Sequence, residues 1–254
     1  MLKARATWRE AAPRARPASL DPTGPASQAE TTPDTSTDMQ QLRLPSATEP
    51  LNILCFGAHS DDIDIGCGGS LLALLERHAA NVTWVAFSGT SPRASELEAS
   101  AKRFLRRAAS KTTRVFDFRE SFFPADYAQI KEAFESLKTL PRPDLIFTHH
   151  RADLHQDHRI VSELTWGAFR DHLILEYEIP KFDGGLTPPN AYVAVTKAQA
   201  QRKIDILLDC YATQRSKRWF TADTFWGLMS LRGIESGAPT GWAEGFHASK
   251  LLLG

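Results

Sequence analysis

Cysteine is scarce in this chain. Its three residues in 254 are Cys55, Cys67 and Cys210. They form no CxxC pair and no even disulfide framework, so a reduced, cytoplasmic compartment is expected. Excess charge is missing too. Thirty Lys and Arg balance thirty Asp and Glu, so no net field steers the chain to nucleic acid or to an anionic membrane. No apolar run approaches the ~20 residues that span a bilayer, so no transmembrane segment is expected. Several local signatures are also absent. With Gly66 as the sixth residue of an EF-hand loop, Ile63 and Ile65 stand where acids belong. Gly66-Cys-Gly-Gly69 comes too late after the preceding strand to be a dinucleotide fingerprint. No G-x-S-x-G elbow occurs, and no internal repeat is visible.

What is present divides in two. Residues 1–48 are rich in Pro, Ala, Ser, Thr and charge and poor in large apolar residues, too poor to offset chain entropy. They read as a disordered N-terminal extension, with Met39 as an alternative start. Residues 49–254 read as one domain in which strands and helices alternate. Strands are expected at 53–56, 82–87, 113–118, 145–148, 173–179 and 192–195. Helices are expected from Ser70 to about Ala80 and at 93–109, 126–140, 158–171, 197–209 and 221–231. Residues 180–190 read as loop and 237–254 as mostly irregular. This alternation predicts a three-layer α/β/α, Rossmann-like fold with a mostly parallel sheet.

Two stretches carry the chemistry. In Ala58-His-Ser-Asp-Asp-Ile-Asp64, a buried strand empties into His59, Asp61 and Asp62. Glycines follow at Gly66, Gly68 and Gly69, where a ligand can approach backbone closely. In Thr148-His-His-Arg-Ala-Asp-Leu-His-Gln-Asp-His-Arg159, four of the eight histidines sit after another strand. Ligands of parallel α/β sheets bind beyond the carboxyl ends of the strands. Catalytic zinc takes three His or Asp/Glu ligands and keeps one position open. His59, Asp62 and a histidine of the second stretch would supply such a set.

Together, Ala58-His-Ser-Asp-Asp62…Gly66-Cys-Gly-Gly69 and His155-Gln-Asp-His158 resemble the PIG-L/LmbE-like family of zinc-dependent N-deacetylases, whose members remove acetyl from N-acetylglucosamine-type conjugates. The resemblance spans Asn52 to the C-terminus. It implies His59, Asp62 and His158 as metal ligands for Zn2+, with Fe2+ able to occupy the same donors. It implies zinc-bound water as nucleophile, Asp61 as general base, His155 facing the substrate carbonyl and Asp157 orienting it. Two positions depart from the family pattern: Ser60 stands for the usual Pro, and Ile63 for the usual Glu, with Asp64 one place later. Candidate substrate-binding residues are Arg151, Asp153, Arg215, Glu244 and His247. Glu176 and Glu178 are expected to pair with buried arginine or to touch sugar hydroxyls. The implied substrate is an N-acetylated amino sugar in a small glycoside or glycoconjugate, with no nucleic-acid partner. Two rivals share the same residues: a zinc amidase acting on another sugar conjugate, and a non-catalytic sugar-binding protein. Intact Asp61 and His155 weigh against the second, because binding alone needs neither a base nor an oxyanion donor.

Overall fold

The apolar run Leu51–Gly57 is buried along nearly its whole length and forms the central strand β1. A strand covered on both faces reads as continuous apolar sequence rather than alternation. The computed structural model describes residues 49–252, so the expected extension at 1–48 lies outside the described residues. After β1 the chain forms α1 (Asp62–Arg77), β2 (Ala80–Ala86), α2 (Arg93–Phe104), β3 (Ser110–Val115), α3 (Tyr127–Leu137), β4 (Leu145–His149), α4 (Gln156–Ala168) and β5 (Ile174–Tyr177). Then follow β6 (Ala191–Val195), α5 (Lys197–Cys210), α6 (Ala222–Ser236) and β7 (Trp242–His247).

The seven strands are ordered β3-β2-β1-β4-β5-β7-β6. All pairs from β3 to β5 are parallel, and β7 runs antiparallel to both β5 and β6. Apolar side chains of α1, α2, α5 and α6 fill one face, among them Leu71, Phe104, Ile204 and Phe225. Ile130 and Phe134 of α3 and Ile160 and Leu164 of α4 fill the other, against Leu54 and Phe56 of β1. The expected three-layer α/β/α architecture is therefore the observed one.

Two differences from expectation bear on the site. The helix after β1 starts at Asp62, not at Ser70, so the glycines lie inside it. They serve packing rather than ligand approach. A Cβ on Gly66 would sit 2.1 Å from the Tyr177 ring, and one on Gly68 2.7 Å from Phe104. The second difference is β7, a strand where irregular chain was expected. It carries Gly245, where a Cβ would come within 2.7 Å of Pro189.

The connection from β1 leaves on the α1 face and that from β4 on the α4 face. These neighbouring strands therefore flank a switch point, the crevice where open α/β sheets bind ligands.

Candidate metal and catalytic site

Both chemistry-bearing stretches empty into that crevice. His59 follows β1, Asp61 is the N-cap of α1 and Asp62 its first residue. The side chain of Asp61 makes no capping bond, which leaves it for other work. His149 ends β4, and His155 caps α4, whose first turn carries Asp157 and His158. His59, Asp61, Asp62, Asp157 and His158 are all buried, and His155 is half-buried.

Three donor groups converge. His59 Nδ1 lies 3.2 Å from His158 Nε2 and 3.4 Å from Asp62 Oδ2, and His158 Nε2 lies 3.6 Å from Asp62 Oδ1. A tetrahedron with ligand bonds of ~2.0–2.1 Å has edges of about 3.3–3.4 Å. The His59–His158 separation matches such an edge, while the two Asp62 distances run to different oxygens of its carboxylate. The sets whose single donor atoms converge among the described residues are His59, His155 and His158, and Asp62, His149 and His158. The remote nitrogens agree. His59 Nε2 meets Asp157 Oδ2 at 3.1 Å, and His158 Nδ1 meets Asp153 Oδ2 at 3.0 Å. A carboxylate only accepts, so each remote nitrogen carries the proton and each inward nitrogen presents a lone pair. Carboxylates behind histidines are the usual outer support of metal sites.

Hydrogen bonds also separate the other two histidines from this set. His155 Nδ1 accepts the Asp157 backbone N–H at 3.2 Å, which leaves the proton of the neutral ring on Nε2. His155 is therefore a donor toward the crevice, although its ring nitrogen lies within ligand range of His59 and His158. His149 Nε2 accepts the Ala58 N–H at 2.9 Å and lies 3.1 Å from Asp62 Oδ2. Its lone pair is thus engaged, and its Nδ1 is buried without a partner among the described residues. His149 was not singled out in the sequence, although its place at the end of β4 was a usable signal.

The electrostatics follow from this crowding. Burial opposes charge on Asp62, but His158, His149 and His59 hold its carboxyl well below the usual range. Burial also opposes protonation of His59, yet Asp62 and Asp157 outweigh it and raise its pKa to about 10. A metal there would compete with that proton for the imidazole. Burial and the His149 ring lower His158 to about 3, so it stays neutral. Burial, then the neighbouring charge of Asp62, raises Asp61, with Arg93 pulling the other way. Burial and the nearby His59 lower His155.

Arg93, at the start of α2, was not foreseen from sequence. Its guanidinium donates to Asp61 Oδ1 at 3.1 Å and to Ser60 Oγ at 3.0 Å, and it also pairs with Glu120. No local pattern marks it, because the fold alone brings it to Asp61. At the two departures from the family pattern, Ser60 Oγ accepts from Arg93, while Asp64 is fully buried among the hydroxyls of Ser100 and Tyr211.

The structure gives several of the expected residues partners within the protein. The Asp157 carboxylate does not reach His155. It holds His59 and accepts the backbone N–H groups of Ser121 at 2.6 Å and Phe123 at 3.3 Å. Asp153 is buried behind His158 rather than facing a ligand. Arg151 lies 4.2 Å over the Trp166 ring and 3.4 Å from Glu176 Oε1. Arg215 caps the end of α5 through the carbonyls of Leu208 and Asp209. Glu244 is buried against Lys203 and the N–H groups of Gly69 and Ser70. His247 stacks on His150 with centroids 3.7 Å apart and reaches Thr187. Glu178 pairs with buried Arg232 at 2.6 Å, the structural alternative of the two expected. Glu176 instead holds His150, the Arg151 N–H and Trp166.

With this geometry in view, comparisons with known proteins place the chain. A family model described as GlcNAc-PI de-N-acetylase, PIG-L, matches residues 54–169. The protein YaiS of Escherichia coli (strain K12), described as an uncharacterized deacetylase, is 31% identical over 149 residues, 54% of this chain and 78% of YaiS. Among solved structures, the 4-carboxy-2-hydroxymuconate hydratase GalB of Pseudomonas putida KT2440 superposes with a TM-score of 0.63 at 16% identity, over 80% of this chain and 98% of GalB. The N,N'-diacetylchitobiose deacetylase of Pyrococcus horikoshii superposes with a TM-score of 0.53 at 17% identity, over 77% and 82% of the two chains. At such identities these two structures speak for the fold alone. One is a hydratase and the other a deacetylase, so the chemistry has to be argued from the site.

Proposed function

The chain belongs to the PIG-L (GlcNAc-PI de-N-acetylase) family, and from that premise we propose that it is a metal-dependent hydrolase that removes the acetyl group from an N-acetylated amino sugar in a glycoside or glycoconjugate. One observation carries the reading: two carboxylate-backed imidazoles and Asp62 meet at 3.2–3.6 Å beside a carboxylate, Asp61, that is not needed as a ligand.

His59, Asp62 and His158 would hold the ion, with zinc suited to their mixed imidazole and carboxylate donors. A divalent ion held there would supply an acidified water, with a pKa of about 7, and polarisation of the amide carbonyl. The remaining work falls to the protein. Arg93 holds Asp61 Oδ1, and Oδ2 makes no hydrogen bond to the described residues. That oxygen takes the proton of the attacking water, and the raised pKa of Asp61 suits a base working near neutrality. His155 Nε2–H donates to the oxyanion as carbonyl carbon becomes tetrahedral. It does so as a neutral ring, because the backbone amide of Asp157 fixes its tautomer. Asp61, now protonated, returns the proton to the departing amine. Acetate and a free amino sugar result.

The test is acetate release from N-acetylglucosamine derivatives: simple glycosides, nucleotide-linked sugar and lipid-linked sugar. Zinc-loaded wild type is compared with Asp61→Ala. Expected is zinc-dependent release that falls by ~10²–10⁴ in the variant at unchanged metal content. One zinc bound per chain with no release from any panel member would overturn the deacetylase reading.

A further inference from the structure

The loop between β5 and β6 returns to the site at a point that the reaction does not use. Lys181 Nζ donates to Asp153 Oδ2 at 2.6 Å and to the Ile179 carbonyl at 3.2 Å. The same Asp153 oxygen accepts a hydrogen bond from His158 Nδ1–H, and the other oxygen accepts the His155 N–H at 2.7 Å. Lys181 is 10% exposed and Asp153 3%, so this is not a solvent-screened surface pair. Four residues further on, Gly185 takes a φ of 84° and lies so close to Leu154 that a Cβ there would sit 2.8 Å from Leu154 Cγ. Leu154 stands between Asp153 and His155. The loop therefore meets the metal-site segment twice, once by charge and once where Gly185 packs against the Leu154 side chain.

We propose that Lys181 is a positioning residue that couples this loop to the metal site, so that an ion on His158 and a seated loop strengthen one another. The inference rests on the metal-site reading above. An ion on His158 Nε2 withdraws electron density from the ring and makes Nδ1–H a stronger donor. Asp153 must then carry full negative charge in a buried place, and the Lys181 ammonium is its one permanent cation among the described residues. Coupling between two binding events is reciprocal. Losing Lys181 weakens the ion, and losing the ion loosens the loop. Outer partners of ligating histidines typically change metal affinity by 10–100-fold.

The experiment uses the full chain and titrates Zn2+ against a chromophoric chelator. Wild type is compared with Lys181→Met, Lys181→Gln, Lys181→Arg and His158→Ala, with circular dichroism as the fold control. Expected is one zinc per wild-type chain, a 10–100-fold loss of affinity in the Met and Gln variants, recovery to within a few-fold in the Arg variant, and no tight zinc in His158→Ala. In parallel, chymotrypsin cleavage after the exposed Phe182 is followed. Zinc should slow it in wild type and fail to do so in Lys181→Met. Wild-type affinity in folded Met and Gln variants, with zinc still lost in His158→Ala, overturns the coupling alone. Absence of zinc from wild type, or its retention in His158→Ala, overturns the site reading and the coupling with it.

Discussion

At the β5–β7–β6 end of the sheet the buried charges close on themselves, whereas at the carboxyl ends of β1 and β4 they do not. In the first region Lys203 meets Glu244 at 2.6 Å, and Arg232 meets Glu178 at 2.6 Å. Their remaining hydrogen-bonding capacity is largely met by backbone N–H and C=O groups or by Glu235. In the second region four buried carboxylates, Asp61, Asp62, Asp153 and Asp157, meet two permanent cations directly, Arg93 and Lys181. Asp62 and Asp157 have only histidines as charged partners. Burying charge without its opposite is costly. A region that is complete reads as structure, and one that lacks a cation reads as a place for one.

The sharpest way to break the comparison is to open the complete region. Glu244→Ala leaves Lys203 buried and unpaired, and removes the acceptor of two N–H groups in α1. Removing one member of a buried pair typically costs about 3–5 kcal/mol. Urea unfolding should show that loss. Lys203→Met combined with Glu244→Leu should recover part of it, because both charges then leave together. A stable Glu244→Ala with a raised KM would instead return Glu244 to the substrate.

A smaller effect is expected where the incomplete region does its work. His155→Ala removes the Nε2–H donor and leaves the three ligands untouched. Loss of one oxyanion donor lowers kcat by ~10²–10³, with zinc content and KM little changed. His155→Gln, which can still present an N–H, should keep more activity. If His155→Ala instead lost zinc, His155 would be a ligand and the tautomer argument would be wrong.

How much of this was legible in the sequence depends on how local each signal is. The strand–helix alternation and the clusters after β1 and β4 are local, and the fold brings both clusters to one crevice, with His59 Nδ1 3.2 Å from His158 Nε2. The glycines of α1 were misread because their cause is tertiary: Tyr177, Phe104 and Glu244 lie far along the chain. β7 was missed because Glu244 and Gly245 lower its strand propensity, and only the ion pair with Lys203 and the approach of Pro189 explain them. Arg93 and Lys181 carry no local pattern at all. Asp157 reaches His59 rather than His155 because only the fold brings the end of β1 to the first turn of α4.

The mildest expected effect concerns the stacked pair at the edge of the complete region. Burial, and then the adjacent His150, lower His247 to about 4, against ~6.5 for a free histidine. A depressed folded-state pKa means that the unfolded chain binds the proton more readily. The contribution is therefore whole above about pH 6.5 and is lost as pH falls toward 4. His247→Phe keeps an aromatic ring on His150 and cannot take the proton. It forfeits the Thr187 hydrogen bond, a pH-independent offset, but its stability should fall less steeply than that of wild type between pH 6.5 and 4 in urea unfolding. Parallel curves would mean that His247 stays accessible to protons in the folded chain. The β5–β7 edge would then be open to water, and the two regions would differ less than their geometry suggests.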